Sequence, residues 1–390
     1  MRYAIADSNA AADPMQANET YSSDTPALAV HGGDLDAIAR RYAVPRDELV
    51  DFSANLNPLG PPRALLDELR AAAGDVSDLA RYPEPDAATL RRALGAHHDI
   101  DPDSIVVANG AAAIIGVAAA VAMGERCIVP QPAFSEDAHA LAAAGVALVP
   151  VALEAADDFA LPMHEIARLL ETRAADALLV TTPHNPSGTL VAPETLSELR
   201  ERTRRASATF VIDEAFVDFV PHATTIAHAA IASRTIAIRS LTKFFAVPAL
   251  RVGFGVSEPE LASRMRAALP SWPVTTMAMR AVIAALGDAA YARTTLVTIE
   301  RNRTILRADL EALGLRTFPS AANFILIQLP IAYGAAALTR ELVVASRIVV
   351  RDCSSYAGLA PDRFIRVAVR DVVNNHRLIV AMRVALARAD

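Results

Sequence analysis

Residues 208–214 read ATFVIDE and residues 235–243 read TIAIRSLTK, and these two stretches decide the fold. Each starts with a run of apolar and β-branched residues, which is typical of a buried strand. Each then ends on polar residues, Asp213 and Glu214 in the first stretch and Lys243 in the second. In open α/β sheets, ligands bind where the carboxyl ends of parallel strands meet. We therefore expect these polar side chains to lie at one edge of a sheet.

Four more runs of this kind lie upstream, separated by stretches rich in Ala, Leu and Arg. The six predicted strands cover residues 104–108, 126–130, 147–152, 177–181, 208–212 and 235–238. Alternation of strands with helices favours an α/β fold, with a mostly parallel sheet that helices cover on both faces. We assign this arrangement to a large domain at residues 61–270, in which residues 253–255 are expected to form a turn.

The C-terminal part of the chain has a different pattern. Its predicted elements are a long helical region at 277–313 and strands at 324–328, 348–350 and 364–369. This mixture favours a smaller α+β domain, to which we assign residues 29–60 and 271–390. The Asn- and Pro-rich stretch 51–62 is expected to be a loop. Residues 1–28 are small and polar without periodicity, and we expect a flexible N-terminal arm there.

The composition excludes several classes of protein. Of the 390 residues, 53% are hydrophobic and 21% are charged, which is typical of a globular protein and excludes a disordered or fibrous chain. The formal net charge is −7, whereas nucleic-acid-binding proteins typically carry an excess of positive charge. No apolar run approaches the roughly 20 residues of a membrane span. Two cysteines cannot form a disulfide framework, so we expect a cytoplasmic protein. From the charge and the short apolar runs we expect no nucleic-acid or membrane partner.

Several histidines and the single tryptophan lie outside the polar strand ends. His97, His98, His184 and His222 show no metal-ligand spacing, and we expect them to cap helices or face solvent. Trp272 is expected to pack near the domain boundary. We predict no metal site.

Lysine occurs only once, at Lys243, and the other 36 basic residues are arginine. Such a bias suggests that arginine replaces lysine wherever only charge matters. A lysine that persists is then a candidate for chemistry that needs a deprotonatable primary amine, because arginine stays protonated. Chance survival on a solvated surface is the alternative explanation, and the count alone does not separate the two.

The neighbourhood of Lys243 favours chemistry. Asp213 supplies a carboxylate at the same sheet edge, and Asn109-Gly110 ends a strand just where a helix begins at Ala111, which leaves backbone N–H groups for an anion. The groups expected to bind a phosphate are Gly110, Ala111, Ala112, Ser240, Thr242 and Arg251. Pyridoxal phosphate requires this set: an amine for a Schiff base, a carboxylate for the pyridine nitrogen and an anion site.

These motifs resemble those of fold-type I pyridoxal-phosphate enzymes of the aspartate aminotransferase superfamily, from His31 onward. The loop 182–188 (TPHNPSG) resembles the Asn-Pro-x-Gly loop of that superfamily, which implies that Asn185 bonds the phenolic oxygen of the cofactor. The resemblance also implies that Phe134 stacks on the cofactor ring. Tyr82, in Arg81-Tyr-Pro, is similar to the tyrosine that reaches the partner subunit's cofactor phosphate, and this implies a homodimer.

Several longer strings resemble one branch of the superfamily, the L-threonine-O-3-phosphate decarboxylases of cobalamin synthesis, a sister group of the histidinol-phosphate aminotransferases. They cover residues 31–33, 51–60, 213–222, 239–248, 351–359 and 366–370. Two positions depart from the expected patterns. Ala111-Ala112-Ala113 replaces a polar triplet and removes a hydroxyl from the phosphate site. Phe216 replaces the tyrosine of most aminotransferases, as in the decarboxylase branch.

The resemblance implies decarboxylation of L-threonine O-3-phosphate to (R)-1-aminopropan-2-yl phosphate. Arg366 would then bind the substrate carboxylate, using the fork of N–H donors that suits planar oxyanions. Arg351 and His31 would hold the distal phosphate. Asn55 and Asn323 would line the pocket.

Three alternatives stay open at this point. One is an aminotransferase of the histidinol-phosphate type, and another is a decarboxylase of a related phosphonate or phospho-amino acid. The third is a cofactor-binding sensor module fused to a DNA-binding domain, for which the segment before His31 is too short and too acidic.

Overall fold

The structure is a computed structural model that describes residues 32–387. The arm predicted at 1–28 and the candidate His31 lie outside the described residues. The helices are α1 (Leu35–Tyr42), α2 (Arg63–Gly74), α3 (Val76–Leu79), α4 (Ala88–His98), α5 (Ala111–Ala122), α6 (Ser135–Ala143), α7 (Met163–Glu171), α8 (Pro193–Ala206), α9 (Ile226–Ala229), α10 (Leu241–Phe244), α11 (Pro259–Ala268), α12 (Thr276–Leu286), α13 (Ala289–Ala312), α14 (Ala335–Ser346) and α15 (Val372–Ala387).

The strands form three sheets. They are β1 (Val50–Asp51), β2 (Ile105–Ala108), β3 (Arg126–Gln131), β4 (Ala147–Ala152), β5 (Ala177–Thr181), β6 (Thr209–Asp213), β7 (Thr235–Ser240), β8 (Gly253–Val256), β9 (Arg316–Thr317), β10 (Phe324–Gln328), β11 (Ile348–Val349), β12 (Arg351–Asp352) and β13 (Phe364–Ala368). The main sheet has seven strands in the order β2-β8-β7-β6-β5-β3-β4. A four-stranded sheet has the order β12-β13-β10-β9, and β1 pairs with β11.

The main sheet is the α/β element that the sequence predicts. Strands β4, β3, β5, β6 and β7 pair in parallel, and every residue of β5, β6 and β7 is buried. Helices cover both faces of such a sheet, which explains why these strands are continuous apolar runs. All six predicted strands are confirmed to within two residues at either end. The division into two domains stays a prediction.

The turn predicted at residues 253–255 is wrong, because this segment is the strand β8. It pairs antiparallel with β2 and with β7. A Cβ at Gly253 would lie 2.4 Å from the Ala111 backbone nitrogen, and one at Gly255 would lie 2.7 Å from Ile114 Cγ2. The glycines are therefore present because α5 packs directly on the strand, not because the chain turns.

The helical region predicted at 277–313 is two helices, α12 and α13, with a break at Gly287. Asp288 caps α13, because its side chain accepts a 2.9 Å hydrogen bond from the Tyr291 backbone nitrogen. Within residues 32–387, no single helix is long and apolar enough to cross a membrane. The pair α12 and α13 meets both criteria when the two helices are taken together, but a 76° bend separates them.

Candidate active site

The strand register brings the predicted polar groups to one edge of the main sheet. On β8, Gly253 lies opposite Ala108 on one side and opposite Ser240 on the other. On β6, Asp213 lies opposite Thr181, the residue before the TPHNPSG loop. At this edge, strands β2, β7, β6 and β5 therefore end and the antiparallel strand β8 begins, close to the candidate residues. The structure thus confirms the expected shared edge.

Lys243 lies in the short helix α10, immediately after β7. Its side chain stays partly accessible while protein atoms surround it on most sides. Its pKa is lowered to about 8, chiefly by burial and also by the positive charges of Arg366 and Arg251, while the Asp213 charge acts in the opposite direction. The three charged groups that act on Lys243 are all residues named from the sequence. Near neutral pH this amine loses its proton far more readily than an exposed lysine, as a nucleophile requires.

Asp213 is a buried carboxylate at the end of β6. One of its oxygens accepts a 2.9 Å hydrogen bond from the Ala215 backbone nitrogen. Its pKa is raised to about 6, chiefly by burial and also by the Glu214 charge, while the Ala215 hydrogen bond and the Lys243 charge act in the opposite direction. A carboxylate in this position favours a cationic partner, such as the protonated nitrogen of a heterocycle.

Gly110 and Arg251 form the first part of an anion site. Gly110 has a φ of +86°, and a Cβ at this position would lie 2.7 Å from Arg251 Nη2. Only glycine therefore lets the guanidinium approach the N-terminus of α5 this closely. Among residues 32–387, no side chain caps α5, which starts at Ala111, so the N–H groups of Ala111 and Ala112 are suited to an anion.

Two hydroxyl groups lie on the neighbouring strand end. Ser240 Oγ and Thr242 Oγ1 are 2.8 Å apart, and both residues are buried. Ser240 pairs with Gly253, which in turn packs against the first turn of α5. Helix N–H groups, two hydroxyls and one guanidinium are the donor set that a phosphate monoester takes. These residues therefore fit the phosphate of pyridoxal phosphate, although Ala111–Ala113 contribute no hydroxyl.

Arg351 and Arg366 form a pair of buried arginines on adjacent strands. They lie directly opposite each other in the β12–β13 ladder. Arg366 donates from Nη2 to the Ser53 carbonyl at 3.3 Å, and Arg351 donates from Nη2 to Ser355 Oγ at 2.9 Å. Like charges opposite each other in a sheet repel, and the cost rises with burial. The arrangement therefore favours a ligand that carries negative charge.

Two buried asparagines present polar atoms that have no partner within residues 32–387. These atoms are Oδ1 of Asn55 and both Oδ1 and Nδ2 of Asn323, and Nε of Arg366 is in the same position. An unsatisfied buried polar group costs about 1–3 kcal/mol. Such atoms point to a polar ligand or water, as predicted for residues that line a substrate pocket.

Asn185 bonds two side chains, one of which the sequence analysis does not single out. Its Oδ1 accepts from Arg366 Nη1 and from the Tyr356 hydroxyl, the latter at 3.2 Å. Tyr356 lies in the RDCSSYAGL string, which is the one sequence signal that could have found it. Phe216, where many aminotransferases have a hydroxyl, packs edge-on against Phe324 with ring centroids 5.0 Å apart.

The expectation that His184 caps a helix or faces solvent is wrong, because His184 is buried. Its Nε2 donates to the Pro132 carbonyl at 2.7 Å, and its Nδ1 lies 2.7 Å from Ser187 Oγ. Burial lowers its pKa to about 4, so the ring is neutral at physiological pH. His184 thereby joins the loop that carries Asn185 to the loop that carries Phe134.

A second carboxyl group lies near Asp213. Asp137 is fully buried in the first turn of α6, and its backbone nitrogen donates to the Phe134 carbonyl at 3.0 Å. Neither of its side-chain oxygens has a hydrogen-bond partner within residues 32–387. Burial raises its pKa well above the usual range, and the Asp213 charge adds to the shift. The surroundings of Asp137 therefore favour its protonated, neutral form.

Tyr82 is 79% exposed and lies outside this cluster of buried residues. Its ring stacks on Trp272 at a centroid distance of 4.5 Å, so Trp272 packs on a surface tyrosine. The predicted role of Tyr82 in a partner's site stays a prediction.

The sequence of this chain is similar to one protein family and to individual bacterial proteins. A sequence model of the family described as aminotransferase class I and II matches residues 47–382. The threonine-phosphate decarboxylase of Salmonella typhimurium is 34% identical over 360 residues, which cover 90% of this chain and 95% of that protein. The adenosylcobalamin biosynthesis bifunctional protein CobDQ of Leptospira interrogans is 31% identical over 358 residues, which cover 91% of this chain and 41% of that protein.

The fold is also similar to a solved structure of an aminotransferase. The histidinol-phosphate aminotransferase from Clostridium acetobutylicum has a TM-score of 0.80 to this chain and is 27% identical in sequence. The similarity covers 87% of this chain and 100% of that one. Proteins named for two different reactions therefore share this architecture.

Proposed function

This chain belongs to the class I and II aminotransferase family, and on that premise we propose that it decarboxylates L-threonine O-3-phosphate to (R)-1-aminopropan-2-yl phosphate. The observation that carries the proposal is the buried pair Arg351 and Arg366, of which Arg366 also acts on the charge of Lys243. A substrate with a carboxylate and a second anion matches these two guanidinium groups. The similarity to a threonine-phosphate decarboxylase and to a cobalamin biosynthesis protein supports this substrate class and pathway.

The cofactor is pyridoxal 5′-phosphate, whose aldehyde binds amines and whose protonated ring accepts the electron pair of a bond broken at the substrate Cα. Lys243 would hold the aldehyde carbon, and Asp213 would keep the ring nitrogen protonated. The phosphate would bind the α5 N-terminus, the two strand-end hydroxyls and Arg251. Phe134 would stack on the ring, and Asn185 would donate to its phenolic oxygen.

The arginines would decide which bond at Cα breaks. Arg366 would hold the substrate carboxylate and so orient the bond between Cα and the carboxyl carbon for cleavage. When that bond breaks, CO2 leaves, and the electron pair of the broken bond stays on the Cα side. A proton from Lys243 Nζ or from water then replaces the carboxylate at Cα. Arg351 would hold the phosphate of the substrate, with Asn55 and Asn323 lining the pocket.

Product analysis without an amino acceptor tests the reaction. The purified holoenzyme is incubated with L-threonine O-3-phosphate, and released CO2 and the amine phosphate are measured. We expect both products in equal amounts, and neither from Lys243→Ala. Product that forms only after a keto acid is added would contradict decarboxylation. A parallel reaction with the corresponding phosphonate determines which of the two anions the site prefers.

The alternative function is an aminotransferase of the histidinol-phosphate type. The structural similarity to the Clostridium acetobutylicum enzyme favours it. Phe216 argues against it, since this position lacks the hydroxyl that most aminotransferases place near the ring. Transfer of an amino group from histidinol phosphate to 2-oxoglutarate would support the alternative.

We also propose that the protein is a homodimer in which Tyr82 reaches the partner's active site. Val76, Leu79, Tyr82 and Trp272 are all exposed, and they are close in sequence or in contact. Exposed apolar side chains grouped in this way are typical of a protein interface. Light scattering on the holoenzyme should give twice the chain mass. A monomeric mass for a fully active enzyme would contradict the proposal.

A cytoplasmic location completes the proposal. Cys127 and Cys353 are both buried and form no disulfide. Unpaired cysteines are usual in a reducing compartment. Recovery of the native protein in the periplasmic fraction of its host would contradict this location.

A further inference from the structure

Tyr356 is a buried tyrosine in the segment after β12, and it contacts three of the residues proposed above to bind cofactor or substrate. Its hydroxyl lies 3.2 Å from Asn185 Oδ1 and 3.0 Å from Arg366 Nη1. The Arg351 guanidinium carbon lies 5.6 Å from the centroid of its ring. Residues on two adjacent strands and in a loop that is distant in sequence therefore meet at one side chain.

The hydrogen bonds of this group have only one consistent direction. A guanidinium can only donate, so the Tyr356 oxygen accepts from Arg366 Nη1. The hydroxyl then donates its single proton to Asn185 Oδ1, which also accepts from Arg366 Nη1. A flipped Asn185 amide would direct its NH2 group at the guanidinium, where neither group accepts. Tyr356 and Arg366 therefore fix the orientation of the Asn185 amide.

The fixed amide matters for the cofactor. With Oδ1 occupied by two donors, Asn185 Nδ2 is left as the donor for another ligand, and it makes no hydrogen bond within residues 32–387. The proposed ligand is the phenolic oxygen of pyridoxal phosphate. A donor held at that oxygen stabilises its negative charge, so it lowers the pH at which the bound cofactor loses its proton.

The ring of Tyr356 acts on the second arginine. Arg351 and Arg366 lie opposite each other in the β12–β13 ladder, so their charges repel. The face of Tyr356 attracts Arg351, while its hydroxyl binds Arg366. One side chain thus contacts both guanidinium groups.

We infer that Tyr356 is a positioning residue for the proposed reaction: its hydroxyl orients Asn185 and Arg366, and its ring supports Arg351. The inference rests on the proposed function for the identity of the ligands.

Tyr356→Phe tests the hydroxyl, because it keeps the ring beneath Arg351. We expect the pH midpoint of the holoenzyme's visible absorbance to rise by up to about one unit, the equivalent of one neutral hydrogen bond. We expect kcat/KM for L-threonine O-3-phosphate to fall about tenfold. Tyr356→Leu also removes the ring, and KM should rise by about a further tenfold, which corresponds to a desolvated cation–π contact.

Tyr333→Phe is the matched control, since it also removes a tyrosine hydroxyl, here one that bonds the Leu386 carbonyl away from the site. It should leave midpoint and kinetics unchanged. An unshifted absorbance midpoint in Tyr356→Phe, with kcat/KM within twofold of the wild type, would overturn the inference. The titration uses no substrate, so an enzyme that fails to decarboxylate threonine phosphate would overturn the proposed function and leave this result interpretable.

Discussion

The buried carboxyl group of Asp137 should make the stability of this protein depend on pH. Burial, and then the Asp213 charge, raise its pKa from an ordinary value of 3.8. The folded chain then keeps a proton that the unfolded chain releases. The resulting loss in the free energy of unfolding is absent below pH 3.8 and grows as the pH rises toward the folded pKa. In this range ionisation of Asp137 stabilises the unfolded state and not the folded state.

Asp137→Asn keeps the shape of the side chain and removes its titration. Between the unfolded and folded pKa values, each pH unit changes the free energy of unfolding by about 1.36 kcal/mol. From pH 5 to pH 6.5, the wild type should therefore lose stability relative to the variant as the pH rises, by at most about 2 kcal/mol. The cost of burying the new amide is the same at every pH and drops out of this comparison.

Urea unfolding followed by circular dichroism, at several pH values between 5 and 6.5, measures the difference. Asp157→Asn, at an exposed position, controls for the loss of one carboxylate and should parallel the wild type. A difference between wild type and Asp137→Asn that stays constant over this range would refute the reasoning. It would mean that Asp137 is ionised in the folded protein.

Three further predictions concern the site itself. Gly110→Ala should weaken pyridoxal-phosphate binding about tenfold in a fluorescence titration, because the new Cβ would lie 2.7 Å from Arg251 Nη2 at a φ of +86°; unchanged affinity would exclude this anion site. Asp213→Asn should retain the cofactor and lower kcat by about 100-fold or more, since an amide cannot hold the ring nitrogen protonated; steady-state kinetics with near wild-type kcat would contradict this role. Arg366→Leu should raise KM for the phosphorylated substrate by about 10- to 100-fold. Arg366→Lys should give a KM between those of the wild type and Arg366→Leu, because lysine keeps the charge but lacks the fork of donors. An unchanged KM in both variants would show that Arg366 does not bind substrate.

The strands of the main sheet could be predicted because they are buried on both faces. A strand such as Ala177–Thr181 is a continuous apolar run, and its ends are marked by polar residues. The strand Gly253–Val256 could not be predicted, because its glycines are needed for contact with a helix that lies far away in sequence. The break at Gly287 was missed because a helical pattern continues on both sides of it.

The candidate site could be predicted where its chemistry lies in local motifs. Lys243, Asp213 and Arg251 each follow a strand end, and the sheet register brings those ends together. His184 and Tyr356 were misjudged or missed because their roles depend on contacts between distant parts of the chain, to Pro132 and to Asn185. Spacing along a sequence does not show such contacts.

The central claim is that Lys243 is the amine that holds the cofactor. Borohydride reduction of the holoenzyme, followed by proteolysis and mass spectrometry, tests it directly, because this chain has one lysine and only its N-terminal amine could otherwise react. We predict a phosphopyridoxyl adduct on the peptide that contains Lys243, and its loss in Lys243→Ala. An adduct on the N-terminal amine alone, or no adduct from a yellow holoenzyme, would contradict the account.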